Sequence, residues 1–355
     1  MKILYLTKYS RNGASSRLRS YQYFPLLNNA GINVTVKPFF DEAYLNQLYA
    51  KKTISKISLS KFYFRRFSTL FSVYKYDAIV IEKEIFPYFF SWFEKILYIL
   101  NIKYIVDYDD AIFHNYDLNE NKLIRFFLKN KIANVMKYSA CVLAGNSYLA
   151  TKAEQSQANK IIAFPTVIDI NKYKIKTHLT TENKIVVGWI GSPSTFKYVK
   201  NIAPILSKLN AIHPFELHII GASENIDFNG IVKYPSWSEE AEADLVSSLD
   251  IGIMPLENTP WELGKCAYKL IQYMGCGLPV VASSIGMNKE VIDHGINGFL
   301  IETDNDWIEK LSILIQDSNL RKQFGEAGRK KIEQEFSLQN SIQKLIPLFS
   351  DGSSK

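Results

Sequence analysis

Short apolar runs alternate with stretches of helical period along the whole chain. KILYLT at residues 2–7, NVTVKPF at 33–39, DAIVIE at 77–82, KYIVDY at 103–108 and ACVLAG at 140–145 predict strands in the first half. KIVVGWIG at 184–191, ELHIIG at 216–221, IVKYP at 231–235, DIGIMPL at 250–256 and PVVAS at 279–283 predict strands in the second. These runs are short and apolar at successive positions, as strands buried on both faces of a parallel sheet must be. Residues 17–28 and 121–138 carry helical patterns between them. The alternation predicts an α/β chain with parallel sheets and crossover helices. A polar stretch without period, residues 164–184 with Pro165, predicts a linker. The expected domains are 1–168 and 169–336, followed by a helix within 337–355 that packs back on the first domain and ends in the polar tail DGSSK. Two wound halves place ligands outside the carboxyl ends of their strands, so the residues just after each strand are the first candidates for chemistry.

The length of 355 residues suits two domains. Hydrophobic residues at 47% and charged residues at 22% exclude a disordered chain, a collagen-like repeat and a charged coiled coil. Cys141, Cys266 and Cys276 have neither CxxC nor metal-ligand spacing, which points to a reducing, cytoplasmic compartment. The start, MKILYLTKYS, lacks the long apolar core of a secretory signal. FPYFFSWFEKILYIL at 86–100 is interrupted by Glu94 and Lys95, so no membrane span is expected. The formal net charge is +7, and residues 51–67 contribute Lys51, Lys52, Lys56, Lys61, Arg65 and Arg66 without an acid. Interleaved with Phe62, Tyr63, Phe64 and Phe67, they suit an anionic membrane surface on the cytoplasmic side. A solvated loop and helix face fits the same pattern, and no nucleic-acid recognition motif accompanies it.

The densest candidate stretch is residues 250–301. A strand is followed by a loop with Glu257, Trp261 and Glu262, and Gly264 is expected to open a helix carrying Lys265 and Lys269 on one face. Free N–H groups at a helix start plus two amines would make a diphosphate cradle, against the plainer reading of two surface lysines. Ser283, Gly286 and Asn288 follow another strand, where small residues allow close backbone approach or simply form a turn and cap. In the first half, Gly13, Ser15 and Ser16 follow strand one, and no G-x-G-x-x-G is present. Behind them Arg17 and Arg19 are candidates to hold an acceptor anion, or else belong to a capped surface helix. Glu82, Lys83 and Glu84 follow a second strand, and Asp107, Asp109, Asp110 and His114 a third. Carboxylates there are placed to take a proton from a hydroxyl or to hold a metal, while His114 is expected to be structural.

PLENTPWELGKCAYKLIQYMGCGLPVVAS, followed by GMNKEVIDHGINGFLI, resembles the donor-binding segment of family 4-like, retaining GT-B glycosyltransferases. The flanking segments extend the resemblance over nearly all of residues 184–348, and more loosely over the amino half. It implies two Rossmann-like domains, the first binding an acceptor and the second a nucleotide-diphosphate sugar. It implies no cofactor and no metal, because basic side chains and helix N–H groups neutralise the leaving diphosphate. It also implies transfer with retention, without a side-chain nucleophile, onto a glycan or lipid-linked acceptor in cell-surface polysaccharide synthesis. The donor-side residues so implied are Gly13, Gly191, Ser192, Lys197, Glu257, Trp261, Glu262, Gly264, Gln272, Ser283, Gly286 and Asn288, with Lys265 and Lys269 at the leaving group. Asp109 and Asp110 would serve the acceptor hydroxyl, and Arg17, Arg19, Glu82 and Lys83 the acceptor itself. The chain departs from the family at Gly264 and Gln272, where two glutamates usually stand, and at Ser192, usually an arginine. Those departures keep two alternatives in view, a nucleotide-sugar epimerase and a non-catalytic scaffold on the same fold.

Overall fold

The computed structural model describes residues 1–50, 52–176 and 184–350, so Lys51, residues 177–183 of the linker and the DGSSK tail lie outside the described residues. The chain divides into two compact units. Unit 1 comprises Met1–Thr166, Gly264–Cys266 and the segment from Ser341 onward. Unit 2 comprises Val167–Leu263 and Ala267–Asn340.

Unit 1 is built on a parallel sheet of six strands in the order β2-β1-β3-β4-β5-β6. They are β1 (Lys2–Leu6), β2 (Asn33–Val36), β3 (Ala78–Glu82), β4 (Tyr104–Tyr108), β5 (Cys141–Ala144) and β6 (Ile161–Ala163). The central strand β4 is buried along its whole length, so YIVDY is apolar at every position but Asp107. Residues 17–28 are not one helix: helices Ala14–Arg19 and Phe24–Asn29 flank a tight turn at Tyr21–Tyr23. Ser20 leaves helical geometry at φ −129°, and Pro25 starts the second helix because it can donate no N–H to a first one. Residues 121–138 are likewise two helices, Lys122–Leu128 and Lys131–Tyr138, broken at Asn130. The helix Leu338–Ser350 brings Leu345 and Phe349 into buried positions, and Ser341 bonds the Tyr23 hydroxyl at 2.8 Å within unit 1.

Unit 2 repeats the plan, with order β12-β11-β10-β7-β8-β9. Its strands are β7 (Val186–Ile190), β8 (Glu216–Ile220), β9 (Ile231–Lys233), β10 (Ile251–Met254), β11 (Val280–Ser283) and β12 (Gly298–Ile301). Every pairing in both sheets is parallel. The helix Tyr268–Gly275 lies on this sheet through Tyr273, whose hydroxyl accepts from the Ile190 N–H at 2.9 Å. Gly252 makes the approach possible, since a Cβ there would sit 2.3 Å from the Tyr273 ring.

The basic segment takes a different form from its pattern. Its helix runs Lys56–Leu70, but Phe62 and Arg66 face inward. The Arg66 guanidinium donates to the carbonyls of Thr7 and Lys37, so it belongs to the core of unit 1 and not to a basic surface. No helix among the described residues is long and apolar enough to cross a membrane.

Arg19 is also an interior residue. Its Nε donates to Asp107 at 2.9 Å and its terminal nitrogens reach Asp107 and Thr166. Burial works against the Arg19 charge, but the Asp107 carboxylate outweighs that and keeps the guanidinium firmly protonated. Arg19 therefore does not hold an acceptor anion. It neutralises a carboxylate at the end of β4, 88 residues away in sequence. Arg19→Ala is expected to cost about 3–5 kcal/mol, because it strands a buried charge. Urea denaturation measures this, and a loss no larger than about 0.5 kcal/mol, the size of a surface substitution, would remove the pair from its structural role.

Candidate functional site

In unit 1 the carboxyl ends of β1, β3 and β4 carry a compact polar cluster. Glu82 closes β3 and is buried; its carboxylate accepts from Ser16 Oγ at 2.7 Å, from the Lys8 N–H at 3.0 Å and from Ser15 Oγ at 3.3 Å. Gly13 precedes the Ala14–Arg19 helix and packs so closely on Tyr9 that a Cβ would lie 2.4 Å from the Tyr9 Cβ. That contact sets the turn that delivers both serines. Lys83 has left-handed backbone, φ +71°, which turns its side chain back over the strand ends. Its amine lies 2.9 Å from Asp109 and 3.7 Å from Asp110. Asp109 also accepts from Ser15 Oγ at 2.5 Å.

This geometry separates carboxylates that the sequence could not tell apart. Burial alone would raise the Asp109 carboxyl, but Lys83 and Arg19 drive it well below the ordinary range. Burial pushes Glu82 up, with Lys83 only partly offsetting it. Asp109 is thus a fixed, poorly basic anion, with Oδ2 bonded by Ser15 and Oδ1 facing the Lys83 amine as an ion pair. Asp110 is more open and lies 3.7 Å from both Lys83 and Lys265. Of the two acids singled out by sequence, it is the one with a face left for a ligand. Glu82 and Lys83 are buried in this network and do not form an open acceptor surface. Arg17 stands half-buried on the same short helix. His114 is structural, bonded to Asp117 at 2.8 Å and to the Tyr148 hydroxyl at 2.9 Å.

The segment Gly264–Cys266 is part of this unit, which corrects the expected helix start. Gly264 lies against the backbone after β4, where a Cβ would come within 2.5 Å of the Ala111 nitrogen. The Lys265 carbonyl accepts from Asn146 Nδ2 at 3.0 Å. Ala267 then turns through left-handed geometry, φ +49°, and the helix begins only at Tyr268. Lys265 is therefore outside the helix, and it shares no helix face with Lys269.

In unit 2 the carboxyl ends of β10, β11 and β12 border a recess of about 410 Å³. Asn201, Glu257, Ser283, Glu302 and Thr303 are polar residues that line it, together with the ring of Tyr198. Ser283 Oγ is held by the Leu256 N–H at 2.9 Å, which joins the ends of β10 and β11. Gly286, at φ +48°, and the buried Asn288, whose amide donates to the Ser283 carbonyl at 3.0 Å, shape the following turn. Glu257 pairs with Lys197 at 3.2 Å and accepts from Asn201 at 2.8 Å. Ser192 is exposed nearby in sequence, bonded to Ser194. Lys269 lies against the end of β7, its amine 5.5 Å from the Trp189 ring and its Cε 2.9 Å from where a Gly191 Cβ would be. Trp261 and Glu262 sit on the short helix Pro260–Leu263.

Two donor-side candidates turn inward. Glu262 is buried and accepts from the hydroxyls of Tyr198 and Thr259. Gln272 is buried with its amide donated to the Tyr173 hydroxyl at 3.0 Å, and Tyr173 donates in turn to Glu242 at 3.1 Å. Neither offers an open group for a sugar or ribose hydroxyl. The recess instead draws on Asn201, Glu302 and Thr303, which the sequence reading missed, and on the ring of Tyr198, whose hydroxyl is committed to Glu262. Glu302 and Thr303 follow β12, so recognising that strand would have brought them into view. Among the described residues no three or more His, Cys, Asp or Glu side chains are arranged to hold a metal ion.

Residues 184–317 match the family model described as glycosyl transferases group 1. Spore coat protein SA of Bacillus subtilis is 32% identical over 79 residues, 21% of this chain and 21% of that protein. An uncharacterized glycosyltransferase of Methanocaldococcus jannaschii is 27% identical over 182 residues, 47% of this chain and 45% of that protein. The chain thus matches less than half the length of these curated relatives. Among solved structures, HepE of Anabaena in complex with UDP superposes with a TM-score of 0.72 at 17% identity, covering 99% of this chain and 100% of that one. The two six-stranded parallel sheets flanked by helices are the GT-B fold.

The charge on Asp109 sets an acid-side prediction. Its folded pKa lies below the unfolded value near 4, so its stabilisation is full above about pH 4 and is lost as pH falls below that. Asp109→Asn is expected to lower stability at pH 7 and to flatten the decline below about pH 4. Urea midpoints measured from neutral to acid pH test this; a parallel decline in both proteins would refute the assignment.

Proposed function

We propose that this chain, whose residues 184–317 belong to the glycosyl transferases group 1 family, moves a sugar with retention from a nucleotide-diphosphate sugar to a glycan or lipid-linked acceptor. Its role would be in cell-surface polysaccharide synthesis on the cytoplasmic side of a membrane. The observation that carries the reading is the recess at the ends of β10, β11 and β12. It lies within or beside strands of the matched segment, has the volume of a small-molecule site, and gathers hydroxyl, amide and carboxylate groups. The UDP complex of HepE, which shares the fold, supports a nucleoside diphosphate as the ligand.

In this reading unit 2 receives the donor. The bond from the anomeric carbon to the β-phosphate oxygen breaks, and a bond to the acceptor hydroxyl oxygen forms on the same face. The departing diphosphate takes up negative charge, which we assign to Lys269 and to backbone N–H groups beside Gly191 and Gly286. Lysines and oriented N–H groups do this work by electrostatic stabilisation, so no metal ion is required. The exchange of Glu for Gln272 is tolerated because that side chain serves the Tyr173 interior contact. Unit 1 receives the acceptor, and Asp110 is the carboxylate we assign to its hydroxyl proton.

The test is a panel of nucleoside diphosphates in thermal unfolding, followed by turnover with the matching sugar donors and EDTA present. At least one diphosphate should raise the melting temperature, as any ligand that binds only the native state does. Lys269→Ala should lower kcat by about tenfold or more while leaving acceptor KM nearly unchanged. No stabilisation by any diphosphate would overturn the donor reading. Conversion of the donor sugar with no acceptor present would make the chain an epimerase, and loss of turnover in EDTA would overturn metal independence.

A further inference from the structure

The segments that follow β2, β3 and β4 in unit 1 also carry a surface of another kind, with Arg66 of the first of their helices bonded to the Thr7 and Lys37 carbonyls. Three helices, Lys56–Leu70, Trp92–Ile99 and Lys122–Leu128, expose large apolar side chains. Phe64 is 72% exposed, Trp92 57%, Phe126 73% and Phe127 59%. Scattered exposed hydrophobic residues need no explanation, but a joined set does. These are joined by ring contacts. Phe67 meets Phe93 at 5.9 Å, Phe93 meets Phe89 at 6.0 Å, and Phe89 meets Trp92 at 5.8 Å. Trp92 stacks on Phe90 at 4.7 Å, and Phe90 reaches Phe127 at 6.5 Å. One aromatic path thus runs from the first helix to the third.

The charge on the same helices has a single sign. Their cations include Lys56, Lys61, Lys95, Lys122 and Arg125, all exposed. Their one acid, Glu94, is buried, with its carboxylate accepting from the Ile85 N–H at 2.9 Å. Exposed aromatic rings among cations, with no exposed anion within the three helices themselves, suit a layer whose surface is negative and whose depth is apolar. A second copy of the chain fits poorly, because a two-fold contact would set these cations against themselves.

We propose that the three helices dock unit 1 on an anionic lipid bilayer, with Trp92, Phe126 and Phe127 entering the headgroup boundary. The docking face is therefore wider than residues 51–67 and differently composed, since Phe62 and Arg66 of that segment are interior. It does not depend on the transfer reading, because lipid binding needs neither donor nor acceptor.

The experiment is flotation of the full chain with phosphatidylcholine vesicles, with and without roughly one third phosphatidylglycerol, at low and high salt. The chain should float with the anionic vesicles only, and binding should weaken about tenfold as salt rises. Trp92→Ser with Phe126→Ser and Phe127→Ser should reduce binding by about tenfold or more at low salt, with circular dichroism and melting temperature unchanged. Lys61→Ser with Lys95→Ser and Lys122→Ser should abolish the preference for anionic lipid. Equal flotation with neutral vesicles, no flotation, or unaltered binding by the aromatic variant would overturn the proposal. So would a concentration-dependent dimer in sedimentation that the aromatic variant removes, which would assign the face to self-association.

Discussion

Carboxylates buried at the ends of β3 and β4 are the constraint around which unit 1 is arranged. Glu82, Asp107 and Asp109 leave these strands in the interior, where an unpaired charge is far too costly to keep. Arg19 answers Asp107, Lys83 answers Asp109, and Ser15 and Ser16 hold Glu82. Those demands position the first loop, explain why Gly13 must fit under Tyr9, and leave Asp110 as the more open acid. Unit 2 meets its own constraint by shape. Glycines at 191, 252 and 286 let a helix and a turn come close to the strand ends, and the recess forms where that backbone stops.

Legibility in the sequence follows burial only in part, since the poorly buried edge strands β2 and β9 were also readable from their β-branched runs. The central strands were readable because both faces are covered and most positions are apolar, Glu82 and Asp107 being exceptions. The two missed strands, β6 and β12, lie at sheet edges. β6 is half-exposed and β12 opens on Gly298, so neither presents a long apolar run. The divided helices were hidden for a related reason: Ser20 and Asn130 interrupt the backbone without interrupting the hydrophobic period.

The site was legible as a set of loops but not as a set of roles. The pattern GKCAYK looks like one helix start, and nothing in it announces that Ala267 turns left-handed and detaches Lys265. Arg19, Glu262 and Gln272 are polar residues at plausible positions, yet each is claimed by a partner distant in sequence. The resemblance agrees with the family model matched by residues 184–317 because it rests on the order of many segments, whereas individual roles rest on single contacts.

Lys83 combines two requirements that few side chains satisfy together. Its backbone sits where non-glycine residues lose roughly 1 kcal/mol or more, while its amine neutralises Asp109. Glycine or asparagine would relax the main chain but forfeit the cation, and a β-branched residue would fail on both counts. An engineer seeking a hardier scaffold would thus find this codon closed, because conformational ease and charge balance pull the choice in opposite directions.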